Sequence, residues 1–196
     1  LSPFTTAVAS GTIRVAGPLA DMDRLAIEAT VEALDMRLFD YRLRNAAPLR
    51  FALGGNTLRL TDVRLAGEDT ALELTGSADL RNERMTVQVK GDANLGILQG
   101  FVSNIRASGR ASLEAMLEGS IREPLLTGTM TAQGGRIRHF GLPHAIENIL
   151  GPIRFDSRTI RLDELSARLG GGPVQFSGTV GIEGYRMGQI DVAMKG

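Results

Sequence analysis

The sequence predicts an all-β protein built on one elongated, mainly antiparallel sheet, and three observations support this fold class. Apolar and polar residues alternate with period two along most of the chain, Gly and Asn cluster where the alternation stops, and helical periodicity is confined to short segments. Of the 196 residues, 24 are Gly, which is typical of many tight turns between strands. We expect roughly a dozen strands of about five or six residues each.

The alternating segments predict strands with one aliphatic face and one face in water. The first runs from Leu25 to Ala33, and polar residues such as Arg59, Glu73 and Arg161 occupy the intervening positions of later segments. The residues that we assign to the aliphatic face are Leu25, Ile27, Val31, Leu58, Leu60, Leu72, Leu74, Val87, Val89, Leu113, Leu117, Ile160, Leu162, Val174, Phe176, Ile190, Val192 and Met194.

Turn signals separate these strands at residues 54–56, 67–69, 82–83 and 170–173. Residues 94–104 place Leu95 and Leu98 at helical spacing behind Asn94, a residue that suits the N-cap position. We expect one short helix there, weakened by its two glycines. Residues 142–150 also show helical spacing, but their counterpart in an internal repeat is strand-like, and we therefore prefer a strand.

The chain repeats part of its own pattern. Residues 57–63, TLRLTDV, correspond to residues 159–165, TIRLDEL, which lie 102 positions later. Turn glycines match at the same offset. We therefore predict two copies of one β unit: residues 1–105, with the helix of residues 94–104 near the seam, and residues 106–196, which continue the same sheet.

Charge and composition exclude several classes of function. The 22 Lys and Arg balance the 22 Asp and Glu, so no bulk field attracts nucleic acid or an anionic membrane. There is no Cys, and two His are a small set for catalysis or metal binding. We expect no nucleic-acid partner, no metal, no cofactor and no enzymatic activity.

Candidate sites within the sequence favour ordinary structural roles. His139 and His144 lie five apart, without the i, i+4 spacing of a helical metal site, and we expect both to face solvent. Residues 170–172 are three glycines, but no Lys-Ser or Lys-Thr follows them, so a turn is favoured over a phosphate loop. The acidic pairs at residues 68–69 and 163–164 are expected to be solvated.

One compact basic group stands out among otherwise scattered Arg residues. It consists of Arg136, Arg138 and His139. Two interpretations stay open here: contact with a lipid phosphate, or an ordinary exposed strand face.

An aliphatic sheet face must be covered by another layer or by a ligand. A β-sandwich or closed barrel is one solution, but aromatic residues make up only 5% of the chain, and a core of this kind usually contains more. A sheet of a dozen strands also curls through its own twist. We therefore predict a U-shaped sheet whose aliphatic residues line an open groove for hydrocarbon.

The chain resembles the TamB family, the translocation and assembly module proteins of the Gram-negative envelope, which are related to AsmA-like proteins. The similarity rests on glycines followed by alternating aliphatic residues, on residues 152–172, PIRFDSRTIRLDELSARLGGG, and on residues 93–98, ANLGIL. This resemblance implies a β-taco fold with an apolar groove. It also implies a periplasmic location, a parent protein anchored in the inner membrane by a segment outside this chain, and an Omp85-type (TamA-like) outer-membrane partner.

The resemblance implies transport of phospholipid between the two membranes, and the aliphatic alternation predicts contact with acyl chains. Because the chain starts at Leu1 and ends in a strand-like run, we expect it to be a fragment of a longer protein. A chaperone or secretion factor that pairs strands with outer-membrane proteins, as in autotransporter assembly, is the alternative. A polysaccharide-cleaving β-helix is a weaker one, because paired carboxylates and aromatic platforms are not evident in the sequence.

Overall fold

A computed structural model of the chain describes residues 5–18, 24–38, 40–100, 104–184 and 186–196. It shows one antiparallel sheet of 13 strands, which confirms the all-β fold class. The strands are β1 (Thr5–Ala16), β2 (Ala26–Leu38), β3 (Tyr41–Asn45), β4 (Leu49–Gly54), β5 (Thr57–Gly67), β6 (Thr70–Asp79), β7 (Arg84–Asn94), β8 (Ile105–Ser120), β9 (Pro124–His139), β10 (Ile146–Ser157), β11 (Thr159–Leu169), β12 (Gly172–Glu183) and β13 (Arg186–Lys195).

The strands follow one another across the sheet in chain order, so the fold is a long meander. The order departs from this pattern at β3 and β4. These two strands lie end to end between β2 and β5, and each pairs with both of them. Residues 46–48, which include Pro48, interrupt what is otherwise one strand. The edges of the sheet are β1 and β13.

The internal repeat of the sequence has a counterpart in the strand registers. Thr57 pairs with Asp79 and Leu60 with Gly76 between β5 and β6. Every one of the β5–β6 pairs recurs between β11 and β12 at positions 102 higher, including Leu162 with Gly178. The pairing of β7 with β8 joins the two series within one sheet. The division of the chain at residue 105 stays a prediction.

A bulge in each of β5 and β11 reverses which residues face the aliphatic side. Asp62 and Glu164 have φ angles of 56° and 53°, and the register shifts across them. Even-numbered Leu60 lies on the aliphatic face before the first bulge, whereas odd-numbered Val63 lies there after it. Across each bulge, successive aliphatic residues are therefore three positions apart instead of two, and the aliphatic residues of both halves of the strand lie on the same face.

The strands are longer than the sequence predicted, with most spanning 10 to 16 residues. Bulges account for part of the difference, because they let strands such as β5 and β11 continue where the alternation breaks. The prediction for Ala33 was wrong for the same reason. The register between β1 and β2 shifts at Ser10 and Gly11, so Ala33 is exposed and Leu34 lies on the aliphatic side instead.

The predicted turns and the predicted helix are found, with one change in the helix. Gly170 and Gly171, both with positive φ, form the turn between β11 and β12. The helix is a 3-10 helix, Leu95–Gly100, and its first turn is capped where the Asn94 Oδ1 accepts a hydrogen bond from Gly96 N at 2.8 Å. Residues 101–103 of the predicted helix lie outside the described residues. Residues 146–150 form a strand, as preferred.

Part of the aliphatic face is buried. Val63, Leu72 and Leu165 are each no more than 7% exposed, and Leu165 packs in a cluster with Ala132, Ile149 and Ala167 of β9, β10 and β11. The molecule nevertheless has an accessible surface of 11915 Å². A compact monomer of 21.0 kDa exposes about 9000 Å², so this chain is more extended than a compact monomer of its mass.

Candidate functional site

The predicted lining residues lie on one face of the sheet, where paired positions form rows that run across the strands. What we call the first apolar row crosses nine strands, from β5 to β13, through directly paired residues. These residues are Val63, Leu74, Val89, Ala115, Gly128, Phe155, Ile160, Val180 and Ile190.

A second apolar row runs beside the first, two positions further along each strand. It contains Leu65, Leu72, Gly91, Leu113, Met130, Ile153, Leu162, Gly178 and Val192. Neither row contains a charged or polar side chain. At ~4.8 Å between neighbouring strands, nine strands span about 38 Å of aliphatic surface.

The opposite face is polar along the row that lies between these two. Its residues are Arg64, Glu73, Lys90, Glu114, Thr129, Arg154, Arg161, Thr179 and Asp191. Surface ion pairs such as Lys90 with Glu73, at 3.4 Å, lie along it. The sheet is therefore two-sided across nine strands, with hydrocarbon on one face and charge on the other.

The predicted lining residues differ in how deeply the sheet buries them. Leu25, just before β2, and Leu72 are buried, whereas Ile190 and Met194 near the β13 edge are 64% and 55% exposed. The rest are half-buried. They are Ile27, Val31, Leu58, Leu60, Leu74, Val87, Val89, Leu113, Leu117, Ile160, Leu162, Val174, Phe176 and Val192.

Several residues of the aliphatic face were missed by the sequence analysis. Val63 and Leu65 follow the bulge in β5, and Leu165 and Ala167 follow the bulge in β11. A simple period of two does not identify them, because it loses its phase at Asp62 and Glu164. The signal that would have found them is the spacing of three between Leu60 and Val63, repeated 102 positions later.

The 3-10 helix covers the aliphatic face at one end of the strands. Leu95 packs in a cluster with Ile105, Ala107 and Ala111 of β8. A Cβ on Gly135 of β9 would lie 2.6 Å from the Leu95 Cδ1, so a larger residue there would displace this methyl group. On the other side of the helix, Ile97 packs against the cluster of Leu38, Tyr41 and Leu43.

A buried polar network holds the helix in place. The Tyr41 hydroxyl donates a hydrogen bond to the Thr70 Oγ1, which also accepts one from Asn94 N at 2.8 Å. Gln99, 3% exposed, donates from Nε2 to the Ala107 carbonyl at 3.3 Å. Its Oε1 is the one buried side-chain oxygen without a partner in the described part of the chain. Burial raises the pKa of Tyr41 above its usual value of 10.0.

Replacing Tyr41 with Phe should lower the free energy of unfolding by about 1–2 kcal/mol, because Thr70 loses a buried partner. The variant should also lose part of the alkaline sensitivity of the wild-type chain. A raised folded pKa means that stability is intact below pH 10.0 and falls as the pH rises through the folded value. Urea denaturation below and above pH 10.0 measures both effects. Equal alkaline losses in the two proteins would show that Tyr41 is not the group responsible.

The other candidate residues are dispersed and engaged locally. Glu147, near His144 in sequence, pairs with Arg136 at 3.1 Å, and Asp163 pairs with Arg154 at 3.2 Å. Within the described ranges there is no group of three or more His, Asp and Glu able to hold a metal ion. No helix in that part of the chain is long and apolar enough to cross a bilayer.

Comparisons with protein-family models, with curated proteins and with solved structures give no match to this chain.

Proposed function

We propose that this chain is a segment of a lipid conduit that moves phospholipid by holding acyl chains against the two apolar rows. The observation that carries the proposal is the continuity of these rows across nine strands without a polar side chain. Their span of about 38 Å exceeds the ~15 Å thickness of one hydrocarbon leaflet. An acyl chain can therefore lie along the rows and still have apolar surface ahead of it.

The energetics favour a surface of this kind for transport. Carrying an acyl chain of about sixteen carbons through water costs on the order of 12 kcal/mol, at ~0.8 kcal/mol per methylene. A continuous aliphatic floor removes much of this cost. Because the rows hold no charge, no point along them binds the chain much more tightly than the next. The open side of the groove leaves the headgroup in water.

The cellular setting in this proposal comes from the resemblance to the TamB family. It places the chain in the periplasm, within a longer protein that is anchored in the inner membrane and partners an Omp85-type outer-membrane protein. The transport would then serve outer-membrane biogenesis. The proposal contains no catalytic step and no source of energy in this chain, so a lipid gradient or another part of the system must supply direction.

Photo-crosslinking tests the assignment of the aliphatic face to lipid. Crosslinking residues at Leu60 and Leu162 should label phospholipid, whereas those at the neighbouring positions Arg59 and Arg161 should not, because the latter lie on the opposite face. Mass spectrometry of the irradiated protein counts the lipid adducts. Equal labelling at the Leu and the Arg positions, or no labelling at any of the four, would contradict the proposal.

Strand pairing with an unfolded partner is a second candidate function, and the β1 edge favours it. This strand of 12 residues contains one charged residue, Arg14, and no Pro, so it has little protection against pairing. Val8 and Ile13 on it are 72% and 73% exposed. Placing Pro in β1 where the N–H faces away from β2 separates the two candidates. If the Pro variant no longer assists the assembly of outer-membrane proteins but still binds lipid, strand pairing is the favoured function.

A further inference from the structure

The turn between β9 and β10, residues 140–145, exposes two large apolar side chains. Phe140 is 53% exposed and Leu142 is 46% exposed. We call this segment the β9–β10 tip. It lies at the end of the strands that also carries the 3-10 helix, beyond the last residue of β9, His139. The apolar rows do not include it, so the lipid-conduit proposal leaves these side chains without a role.

Hydrogen bonds fix the shape of the β9–β10 tip and leave its apolar side chains outside. Phe140 N donates to the Asn104 carbonyl at 3.0 Å, and Leu142 N donates to the His139 carbonyl at 3.1 Å. The Arg138 guanidinium donates to the Pro143 carbonyl at 2.8 Å. The exposure of Phe140 and Leu142 is therefore a property of an ordered turn, held by contacts from two neighbouring segments.

Three Arg side chains lie beside the tip, and one of them has no carboxylate partner in the described ranges, although the chain as a whole has no net charge. Arg138 lies directly opposite Arg106 in the β8–β9 register, an arrangement in which like charges repel. Arg136 lies on the same face of β9. Asp40 approaches Arg106 at 3.6 Å, and Glu147 approaches Arg136 at 3.1 Å. No carboxylate in the described ranges pairs with Arg138.

We propose that the β9–β10 tip docks on the surface of an anionic lipid bilayer. Phe140 and Leu142 would enter the boundary between headgroups and acyl chains, while the Arg138 guanidinium, which pairs with no carboxylate in the described ranges, would contact a lipid phosphate. This inference does not depend on the conduit, because none of its residues belongs to the apolar rows.

The size of the apolar patch favours a bilayer over a protein partner. A stable protein interface buries about 800 Å² on each side, whereas two half-exposed side chains offer on the order of 200 Å². A bilayer requires no such area, because it accepts single side chains at a convex turn. An aromatic and an aliphatic residue next to Arg and His side chains form the composition that interfacial anchors have.

Cosedimentation with vesicles tests the inference on the intact chain. Vesicles of phosphatidylcholine alone are compared with vesicles of equal parts phosphatidylcholine and phosphatidylglycerol. The double variant Phe140→Ser, Leu142→Ser should bind the mixed vesicles at least about tenfold more weakly, and Arg138→Gln about fivefold more weakly. Thermal unfolding checks that each variant is folded, which we expect since these side chains are exposed.

Matched controls lie at the opposite end of the strands. Leu80, in the turn between β6 and β7, is 46% exposed, the same fraction as Leu142. Leu80→Ser should therefore leave vesicle binding unchanged, and so should Arg122→Gln in the turn between β8 and β9. The inference is overturned if the wild-type chain binds neither vesicle, if the double variant binds as well as wild type, or if Leu80→Ser weakens binding equally. Retained labelling in the crosslinking experiment would then leave the conduit proposal standing.

Discussion

Replacing Leu74 with Asp should strongly weaken acyl-chain binding while the sheet stays folded. Leu74 lies in the first apolar row, between Val63 of β5 and Val89 of β7. An acyl chain crossing this position would have to strip water from the new carboxylate, and that cost is several kcal/mol. We expect the affinity for a fluorescent phospholipid to fall about a hundredfold, which corresponds to ~2.8 kcal/mol.

The fold should survive this substitution because Leu74 is only half-buried. Its carboxylate would keep contact with water on this partly exposed face, so the expected loss in the free energy of unfolding is about 1–3 kcal/mol. Urea denaturation measures this loss separately from binding. A variant that unfolds would be replaced by Leu74→Asn, which adds a polar amide without a charge.

Thr75→Asp is the matched control for this experiment. Thr75 is the next residue of β6 and pairs with Gln88 on the polar face. The same charge, displaced by one residue, should leave lipid affinity within about twofold of wild type, because the side chain points away from the apolar rows. If both variants lose binding equally, net charge rather than the aliphatic face governs lipid affinity, and the groove assignment is wrong.

Local alternation was sufficient to predict much of the aliphatic face. Residues such as Leu72, Leu113 and Leu162 lie on it as the period of two indicates, because side chains alternate strictly within an unbroken strand. The antiparallel meander could also be predicted from the sequence, since turn residues occur between almost all neighbouring strands. These features depend on residues close together in sequence, and a single sequence contains that information.

Other features depend on contacts between distant residues, and local patterns do not reveal them. Tyr41 and Thr70 meet through their hydroxyl groups although they are 29 residues apart. Leu95 packs over Gly135 of β9, where a Cβ would displace its terminal methyl group. The helix was placed from its own spacing, but its packing on β8 and β9 was not predicted. The same limit applies to the β9–β10 tip, whose exposure depends on where the turn is anchored.

Deletion of Arg64 should destabilise the chain, whereas deletion of Asp62 should be tolerated. Asp62 is the extra residue of the bulge, so without it Leu60 and Val63 lie two positions apart and stay on one face of a regular strand. Without Arg64, Val63 and Leu65 become neighbours, and only one of them can lie on the aliphatic face. Turning the buried Val63 to water costs about 1.5–3 kcal/mol, a large part of the stability of a typical domain.

Urea denaturation followed by circular dichroism measures this effect, and Asp62→Gly is its control. Glycine adopts the φ of 56° without the cost that an L side chain has there, so this variant keeps the bulge. It loses only the exposed ion pair between Asp62 and Arg64, and we expect its stability to lie within about 1 kcal/mol of wild type. Deletion of Ser166, which lies 102 positions after Arg64, should reproduce the loss in the second copy, because the register there is the same. Equal stability of the Asp62 and Arg64 deletion variants would show that β5 restores its phase elsewhere and that residue spacing does not set the aliphatic face.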